Sequence, residues 1–423
     1  MEMEPRVTSL SIGNRIRLFR ERQGRSRETL AGLAGVSPSW LKAVENGTRK
    51  ADSLRMLMAI AEALDVEVWD LIPGPRRLAP NAGAVSDGAV RIQRALVAHY
   101  GEPPHGTEEL APDLARLRRE VDAAWELRTA CQFDAVGARL AALIPEVERA
   151  VNALVHEPGQ EDALRLRAET YWACAYTLFR AGERGTMAWL ATDRFVESSR
   201  QVGDPLLIAL GSRCVAHVLT YVGRPHDALA AAQAAIGSLE PAMGDASVEL
   251  LSIWGSLHLA AALAAANDDD RATCQGMLRE AGQASLAIAA TPPPRRHLLT
   301  DSVLRHVGFT AGNVAIHAVS AAVDLGDGGE ALRLSAQVDL DELPEQMKGR
   351  RAQVHLDIAT VYEQKRQDEA AVHRLQEAER IAPELVHSDH EVREMCRAML
   401  RRARRRSTPG LMDLAGRVGA LAS

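Results

Sequence analysis

Apolar residues recur at helical spacing along most of the 423-residue chain. Over residues 12–73, and again from about residue 89 to 405, they fall at i, i+3 and i+4 with polar residues between them, which gives a helix one buried face. The intervening stretch, 74–88, is rich in Pro, Gly, Ala and Asn, the composition of a linker. The pattern predicts an all-α protein with a small helical head at 12–73, a linker at 74–88 and a helical array at 89–406.

Short breaks of turn-forming residues divide the array into pairs of helices. The clearest breaks are at residues 223–225, 267–269, 324–327 and 365–368. They recur at about 35–50 residues, a period typical of a helical solenoid. The last pair has small residues and a helix-ending proline where a tetratricopeptide repeat has them, at Ala359, Ala371, Ala378 and Pro383. Because the earlier spacing is less regular, the prediction is a tetratricopeptide-like array.

Composition and charge agree with this division. Ala, Leu and Arg are abundant and aromatic residues make up only 4% of the chain, a bias that favours helices. The net charge is −6, yet residues 12–50 hold nine basic and only three acidic side chains. A basic head on an acidic body is polarised, and the head is the part that a phosphate backbone would attract.

The window at 27–46 carries the strongest functional signal. Ala31 is small where a second helix must pack over it, and Gly35 occupies a tight turn that needs a positive φ. Ser37 is suited to cap the next helix and Pro38 to its first turn. The apolar faces of the two helices are supplied by Leu30, Ala34, Val36, Leu41 and Val44. This combination predicts a helix-turn-helix DNA-binding unit.

Residues 12–73 resemble the XRE family, the phage-repressor (Cro/C1) type of helix-turn-helix. The matching strings are Leu30-Ala31, Ala34-Gly35-Val36-Ser37, Leu41, Val44-Glu45-Asn46-Gly47, Ile60-Ala61-Glu62-Ala63-Leu64 and Leu71. The resemblance implies a five-helix domain whose recognition helix, residues 37–45, enters the major groove of DNA. The chain departs from the family at Ala51-Asp52, where a proline usually follows the basic loop.

The same resemblance implies which residues contact DNA. Base edges would be contacted by the start and exposed face of the recognition helix, at Pro38, Ser39, Trp40, Lys42 and Ala43. Ser39 and Lys42 carry donors for bases, whereas Trp40 either presses on a thymine methyl or sugar, or packs within the domain. Phosphates would be contacted by Arg27, Asn46, Thr48, Arg49 and Lys50. The competing interpretation is that these basic residues form only a solvated face.

A solenoid of helix pairs offers a concave surface lined by the first helix of each pair. The repeat framing places five polar residues there as candidate ligand contacts: Arg213, His217, Tyr221, Asn313 and His317. Trp172 with Tyr176 and Trp254 with His258 are further pairs one turn apart. The alternative is that these aromatic and histidine side chains fill the repeat cores with their hydrogen bonds satisfied.

The whole architecture resembles the peptide-sensing RRNPP regulators, an XRE head on a tetratricopeptide body, and still more the XRE–tetratricopeptide regulators of high-GC bacteria. The first group implies a short peptide ligand; for the second the ligand is open. We therefore expect a homodimeric transcriptional regulator that binds a pseudo-palindromic operator in double-stranded DNA and senses a peptide or small ligand. The alternative hypothesis is an adaptor or antitoxin-like protein whose array binds a partner protein.

Signatures of catalysis are missing from the sequence. It has no Walker loop and no GxSxG, HExxH or GxGxxG motif, and Cys214 with His217 is a poor metal site without further ligands. We expect no enzymatic activity, no metal and no cofactor. The five cysteines are spread without CxxC pairing, which favours buried, reduced thiols. No signal peptide or membrane-spanning run is evident, so the chain is predicted to be cytoplasmic.

Overall fold

The computed structural model describes residues 12–46, 54–64, 66, 71, 85–98, 111–182, 186–291, 307–340, 343, 347–402 and 408–421. These residues form helices joined by short turns, and no strand occurs among them. The all-α fold class predicted from the apolar spacing is confirmed.

The head contains α1 (Ile12–Arg22), α2 (Arg27–Leu33), α3 (Pro38–Glu45) and α4 (Leu54–Ala63). Most of the fifth helix implied by the resemblance lies outside the described residues, although Leu71 is described as helical and buried. The predicted apolar positions Leu30, Ala34, Leu41 and Val44 are buried in one cluster, with Val36 packed at its edge. The short helices are therefore held by a shared core rather than by their own length.

The first part of the array comprises α5 (Asp87–Ala98), α6 (Leu114–Thr129), α7 (Phe133–Ala153), α8 (Gln160–Arg180), α9 (Thr186–Val202), α10 (Pro205–Tyr221) and α11 (Pro225–Leu239), the last running into a 3₁₀ helix (Glu240–Asp245). The second part comprises α12 (Val248–Asn267), α13 (Arg271–Ala290), α14 (Ala311–Asp324), α15 (Gly328–Ser335), α16 (Lys348–Gln364), α17 (Asp368–Ile381), α18 (Pro383–Ser388), α19 (His390–Arg402) and α20 (Leu411–Arg417). From α6 to α17 the helices pack as consecutive pairs, as a solenoid requires.

All four predicted breaks fall between helices. Each contains one residue in the left-handed region, which reverses the chain after a helix ends. These residues are Gly223 (φ 76°), Asp269 (φ 59°), Gly326 (φ 79°) and Arg366 (φ 57°). Glycine takes this conformation freely, whereas the other two positions show that a tight turn can impose it on a larger residue. The three consecutive prolines at 292–294 lie outside the described residues.

The end of the array returns to its beginning. The backbone N–H of Asp134, at the start of α7, donates to Glu384 Oε2 of α18 at 2.9 Å. Arg180, at the end of α8, donates through Nη1 to Gln353 Oε1 of α16 at 2.8 Å. These contacts join residues 250 and 173 positions apart. Side chains of α6, α8, α10, α14 and α16 come close enough to interact electrostatically, and the surface that they share is hereafter called the inner face.

One helix is apolar enough to deserve comparison with a membrane span. Val248–Asn267 is 20 residues long and passes the length and hydropathy test, contrary to the expectation that the chain holds no such run. In the fold, 83% of its apolar window is buried inside the array. It packs between α11 and α13, which explains its all-round apolar surface as that of a core helix.

Candidate functional site

The recognition helix α3 begins and ends as its sequence predicts. The Ser37 hydroxyl accepts a hydrogen bond from the Trp40 N–H at 3.2 Å, and Pro38 occupies the first turn. Gly35 has φ 67° in the turn between α2 and α3, where a Cβ would be strained. The capped start of α3 thus projects from a turn whose geometry is fixed by backbone and cap together.

The side chains predicted to contact bases differ in their exposure to solvent. Pro38, Ser39 and Lys42 are exposed, whereas Trp40 and Ala43 are half-buried. Trp40 packs against the edge of the head's core. Much of its ring is therefore used for packing within the domain, the second of the two roles considered for it. The exposed hydrogen-bonding side chains of this surface are therefore Ser39 and Lys42, and the Ser39 hydroxyl lies 3.2 Å from that of Ser37. Hereafter the surface formed by residues 38, 39, 42 and 43 is called the recognition face.

A buried carboxylate anchors the end of α3 to the rest of the head. Glu45 has no exposed side-chain surface and accepts from Arg20 Nε at 2.7 Å and Arg27 Nε at 2.6 Å. Arg20 is itself buried in α1, and Arg27 begins α2. Close contact reinforces this anchor, because a Cβ added at Gly13 of α1 would lie 1.8 Å from the Val44 carbonyl oxygen. The orientation of the recognition face is thus set by one ion-pair network and one close helix crossing.

The predicted phosphate contacts are placed only in part. Arg27 is one-third exposed at its side chain while paired with Glu45, so its guanidinium has a structural partner whatever else it contacts. Asn46 is exposed at the end of α3. Thr48, Arg49 and Lys50 lie outside the described residues. Their contacts with DNA stay a prediction.

Three of the five predicted ligand residues come together on the inner face of the array. Arg213 and His217 lie one turn apart on α10, and His317 of α14 is close enough to both Arg213 and His217 to interact electrostatically with them. Arg213 donates through Nη1 to the Tyr176 hydroxyl at 2.8 Å. The His217 ring meets the edge of the Tyr176 ring, with centroids 5.7 Å apart.

Three further arginines belong to this cluster, and sequence reasoning did not select them. Arg128 of α6 stacks on the Tyr176 ring at 4.9 Å from its centroid. Arg350 of α16 donates to the backbone oxygens of Val307 and Gly308, and Arg180 of α8 interacts with both Arg128 and Arg350. The sequence signal that could have selected these arginines is their position: each lies near an end of the first helix of a helix pair. We call Arg128, Arg180, Arg213 and Arg350 the arginine cluster.

Burial and the arginine cluster keep the two histidines neutral. Burial, together with Arg350, lowers the pKa of His317 to about 3. Burial and Arg213 lower the pKa of His217 well below its ordinary value. His317 Nδ1 lies 2.8 Å from the backbone oxygen of Asn313, which favours the tautomer with the proton on Nδ1. At neutral pH each imidazole is therefore an uncharged hydrogen-bonding group.

The other residues predicted to contact a ligand lie elsewhere in the array, some in its core and some along a separate groove. Asn313 is fully buried, one turn before His317, and the half-buried Tyr221 has its hydroxyl 3.5 Å from the Phe179 backbone oxygen. Trp172 is a core residue stacked on Phe195, as the alternative interpretation of the aromatic pairs expected. A separate groove of about 400 Å³ is lined by Gln233, Ile236, Gly237, Glu240, Trp254, His258, Met277 and Glu280.

The described residues hold no group of three or more His, Cys, Asp or Glu side chains arranged to bind a metal ion. All five cysteines are buried free thiols. Burial raises the pKa of the Cys274 thiol to about 11 and that of Cys396 to about 12. The thiols therefore stay protonated at neutral pH, as packing residues do.

Comparison with known proteins matches the head. A family model described as a helix-turn-helix domain covers residues 11–69. The regulator SlrR of Bacillus subtilis is 31% identical over 110 residues, which are 26% of this chain and 69% of SlrR. SinR of the same organism is 36% identical over 61 residues, and the match spans 14% of this chain and 55% of SinR. Both relatives are described as HTH-type transcriptional regulators.

Solved structures give a weaker likeness over the longer chain. Bacillus thuringiensis PlcR, solved with the peptide PapR7 and DNA, aligns over 69% of this chain and 99% of PlcR at 15% identity and a TM-score of 0.28. Apo ComR of Streptococcus vestibularis, a competence regulator, aligns over 83% and 99% at 15% identity and a TM-score of 0.31. The head match to SlrR and to the helix-turn-helix family model places this chain in the XRE-type family of helix-turn-helix transcriptional regulators.

Proposed function

We propose that this regulator binds a pseudo-palindromic operator as a homodimer and that its array controls binding by sensing a peptide or small ligand. DNA binding as such follows from the family. The observation that carries the finer proposal is the recognition face, where Ser39 and Lys42 are exposed on a helix held from behind by buried Glu45. A fixed helix with exposed polar side chains is suited to hydrogen bonding at base edges.

Dimerisation is proposed from the small size of that face. Two exposed polar side chains on one short helix offer few specific contacts, and each good base contact contributes only about 1–3 kcal/mol of discrimination. Two heads on successive major grooves, about 34 Å apart, would double the contacts and explain a two-fold operator. The array is the part of the chain large enough to hold the heads at that spacing.

Ligand sensing is proposed from the inner face. The arginine cluster and the neutral His217 and His317 come from both the early and the late helices of the array. A ligand that contacts both groups would favour one relative arrangement of these helices. Such a shift changes the spacing of two heads and thereby the affinity for an operator of fixed half-site separation.

Replacing Lys42 with Ala is expected to weaken binding to the operator about 10- to 100-fold, because one base contact of each half-site is lost. The operator is first obtained by genome-wide chromatin pull-down of the tagged protein. Affinity is then measured by fluorescence anisotropy at fixed salt. Replacing Ser39 with Ala is expected to act in the same direction with a smaller effect, since a neutral hydrogen bond is weaker than a charged one.

The matched control is Lys365→Ala, which removes an exposed lysine from the array. It is expected to leave operator affinity unchanged within about twofold. An equal loss of operator affinity in the Lys42 and Lys365 variants would mean that Lys42 acts only through its general positive charge. The assignment of base contacts to the recognition face would then be contradicted. Discrete binding sites without two-fold symmetry would contradict the proposal that the protein binds its operator as a homodimer. An absence of binding sites would favour an adaptor role.

A further inference from the structure

The arginine cluster brings together positive charges without the carboxylates that normally accompany them. Among the described residues, no side chain of this cluster forms an ion pair with Asp or Glu. The acceptors of its hydrogen bonds are all neutral: Gln353 Oε1, the Tyr176 hydroxyl, and the backbone oxygens of Ser256, Val307 and Gly308. Asp357 accepts from Gln353, which links it to Arg180, and from the Ser320 hydroxyl.

Two other arginines of this chain show the usual pairing with a buried acid. In the head, Arg20 contacts buried Glu45. In the array, Arg118 is bidentate to Glu169, with nitrogen–oxygen distances of 2.6 and 2.9 Å. Buried ion pairs of this kind offset the loss of hydration, whereas unpaired buried charge is strongly unfavourable. The arginine cluster lacks the paired acid that Arg20 and Arg118 each have.

The unfavourable electrostatics of this arrangement lower the pKa of its arginines. Burial, with Arg213 and Arg128 nearby, lowers the pKa of Arg350 to about 9. Burial lowers the pKa of Arg128 to about 10, in spite of the neighbouring Tyr176 and Cys131. Both groups stay charged at neutral pH, so their mutual repulsion persists in the protein without a ligand.

Several polar atoms at this place have no hydrogen-bond partner among the described residues. Arg128 stacks on the Trp125 and Tyr176 rings at 5.3 and 4.9 Å, but its N–H groups donate to none of the described residues. His217 Nε2 is buried without a hydrogen-bond partner, and so are both amide atoms of Asn313. Buried polar atoms without partners are uncommon and call for a group that satisfies them.

We propose that the inner face binds the oxyanion of a small ligand, a carboxylate or phosphate, between Arg128, Arg213 and Arg350, with neutral His217 as an additional hydrogen-bond partner. Guanidinium groups suit this task because their planar forks match the oxygens of either anion. The inference rests on the proposed ligand sensing and gives the ligand its chemical class. An anion held there would connect α6, α10 and α16, and so join the early and late parts of the array.

The test uses titration calorimetry on the full chain without DNA, at low salt, with pyrophosphate, trialanine and trialanine amide as probes. We expect saturable binding of pyrophosphate or of trialanine, which has a free carboxylate, and no binding of the amide. Arg128→Met and Arg350→Met are each expected to weaken that binding about tenfold or more, as loss of a charge-assisted hydrogen bond does. Arg333→Met, on the exposed face of α15, is the matched control and should bind as the wild type.

A measurement without any probe guards against variants that simply misfold. Because Arg128 and Arg350 repel their neighbours, Arg128→Met is expected to raise the midpoint of thermal unfolding of the free protein. Arg118→Met leaves Glu169 buried without its partner and is expected to lower the midpoint. A lower midpoint in Arg128→Met would assign it a purely structural role and overturn the proposal.

The calorimetric outcomes are equally decisive. Equal binding by the wild type and both cluster variants, binding of the amide as tight as that of trialanine, or no saturable binding of either anion would each overturn the oxyanion site. Pyrophosphate binding alone would indicate a phosphate ligand, and trialanine binding alone a carboxylate. Since no DNA is present, failure here leaves the operator experiment untouched, and failure of operator binding leaves this site untouched.

Discussion

Replacing Glu45 with Gln is expected to unfold the DNA-binding head while the repeat array stays folded. The substitution keeps the shape of the side chain but removes the charge that Arg20 and Arg27 share. Removing one partner of a buried ion pair costs about 3–5 kcal/mol, because the other charge is left without compensation. A domain of about 60 residues has little stability in reserve, so this loss is comparable to all of it.

Hydrogen exchange detected by mass spectrometry on the full chain would measure the effect segment by segment. Peptides from α1 to α3 should lose protection in Glu45→Gln, whereas those from α8 and α12 should keep it. Specific operator binding should be lost at the same time. The matched control is Glu21→Gln, since Glu21 is a half-exposed partner of Arg17 and Arg20 and is expected to contribute less than about 1 kcal/mol. Unchanged protection of α1 in Glu45→Gln would contradict the anchoring role of the ion pair.

The head was predictable from sequence to a large extent because its signals are local. Gly35 in a turn, Ser37 as a cap and Pro38 in the first turn each act within four residues, and all three appear as expected. The network around Glu45 was not predicted, because it joins residues 25 and 18 positions apart. The residues next to Glu45 in the sequence do not indicate that its side chain is buried.

The inner face shows the same limit at a longer range. Repeat framing selected Arg213, His217 and His317, because helical periodicity states which side of a helix faces inward. It did not select Arg128 or Arg350, because their position depends on how far the array curves and on where its ends meet. That curvature is the sum of small rotations at every helix pair, and irregular repeats leave no single period from which to calculate it.

Replacing Gly137 with Ala is expected to detach α5 from the array. A Cβ at Gly137 of α7 would lie 2.2 Å from the Cα of Gly88 in α5, and a Cβ at Gly88 would lie 2.0 Å from the Phe133 oxygen. These are backbone atoms, so no side-chain rotation relieves the overlap, and the helices must separate. Separation exposes Ile92 and Leu96, both fully buried, at about 1.5–3 kcal/mol each.

Protection against hydrogen exchange in α5 should fall sharply in Gly137→Ala, while α8 and α12 change little. Gly282→Ala in α13 is the matched control, because a Cβ there meets nothing within 4 Å and alanine favours a helix by about 1 kcal/mol over glycine. Retained protection of α5 would mean that the two helices adjust to the extra methyl without separating.

The docking of α5 has a consequence for regulation, because α5 is the first described helix of the array after the head in the chain order. Its hold on α7 and the hydrogen bond from Arg194 of α9 to the Leu96 oxygen at 3.1 Å fix it to the second helices of two pairs. The first helices of those pairs, α6 and α8, carry Arg128 and Arg180 of the inner face. If movement of the array reaches the head through this helix, Gly137→Ala should leave pyrophosphate or trialanine binding intact and abolish its effect on operator affinity. An undiminished effect of the bound anion on operator affinity would show that coupling between array and head bypasses α5.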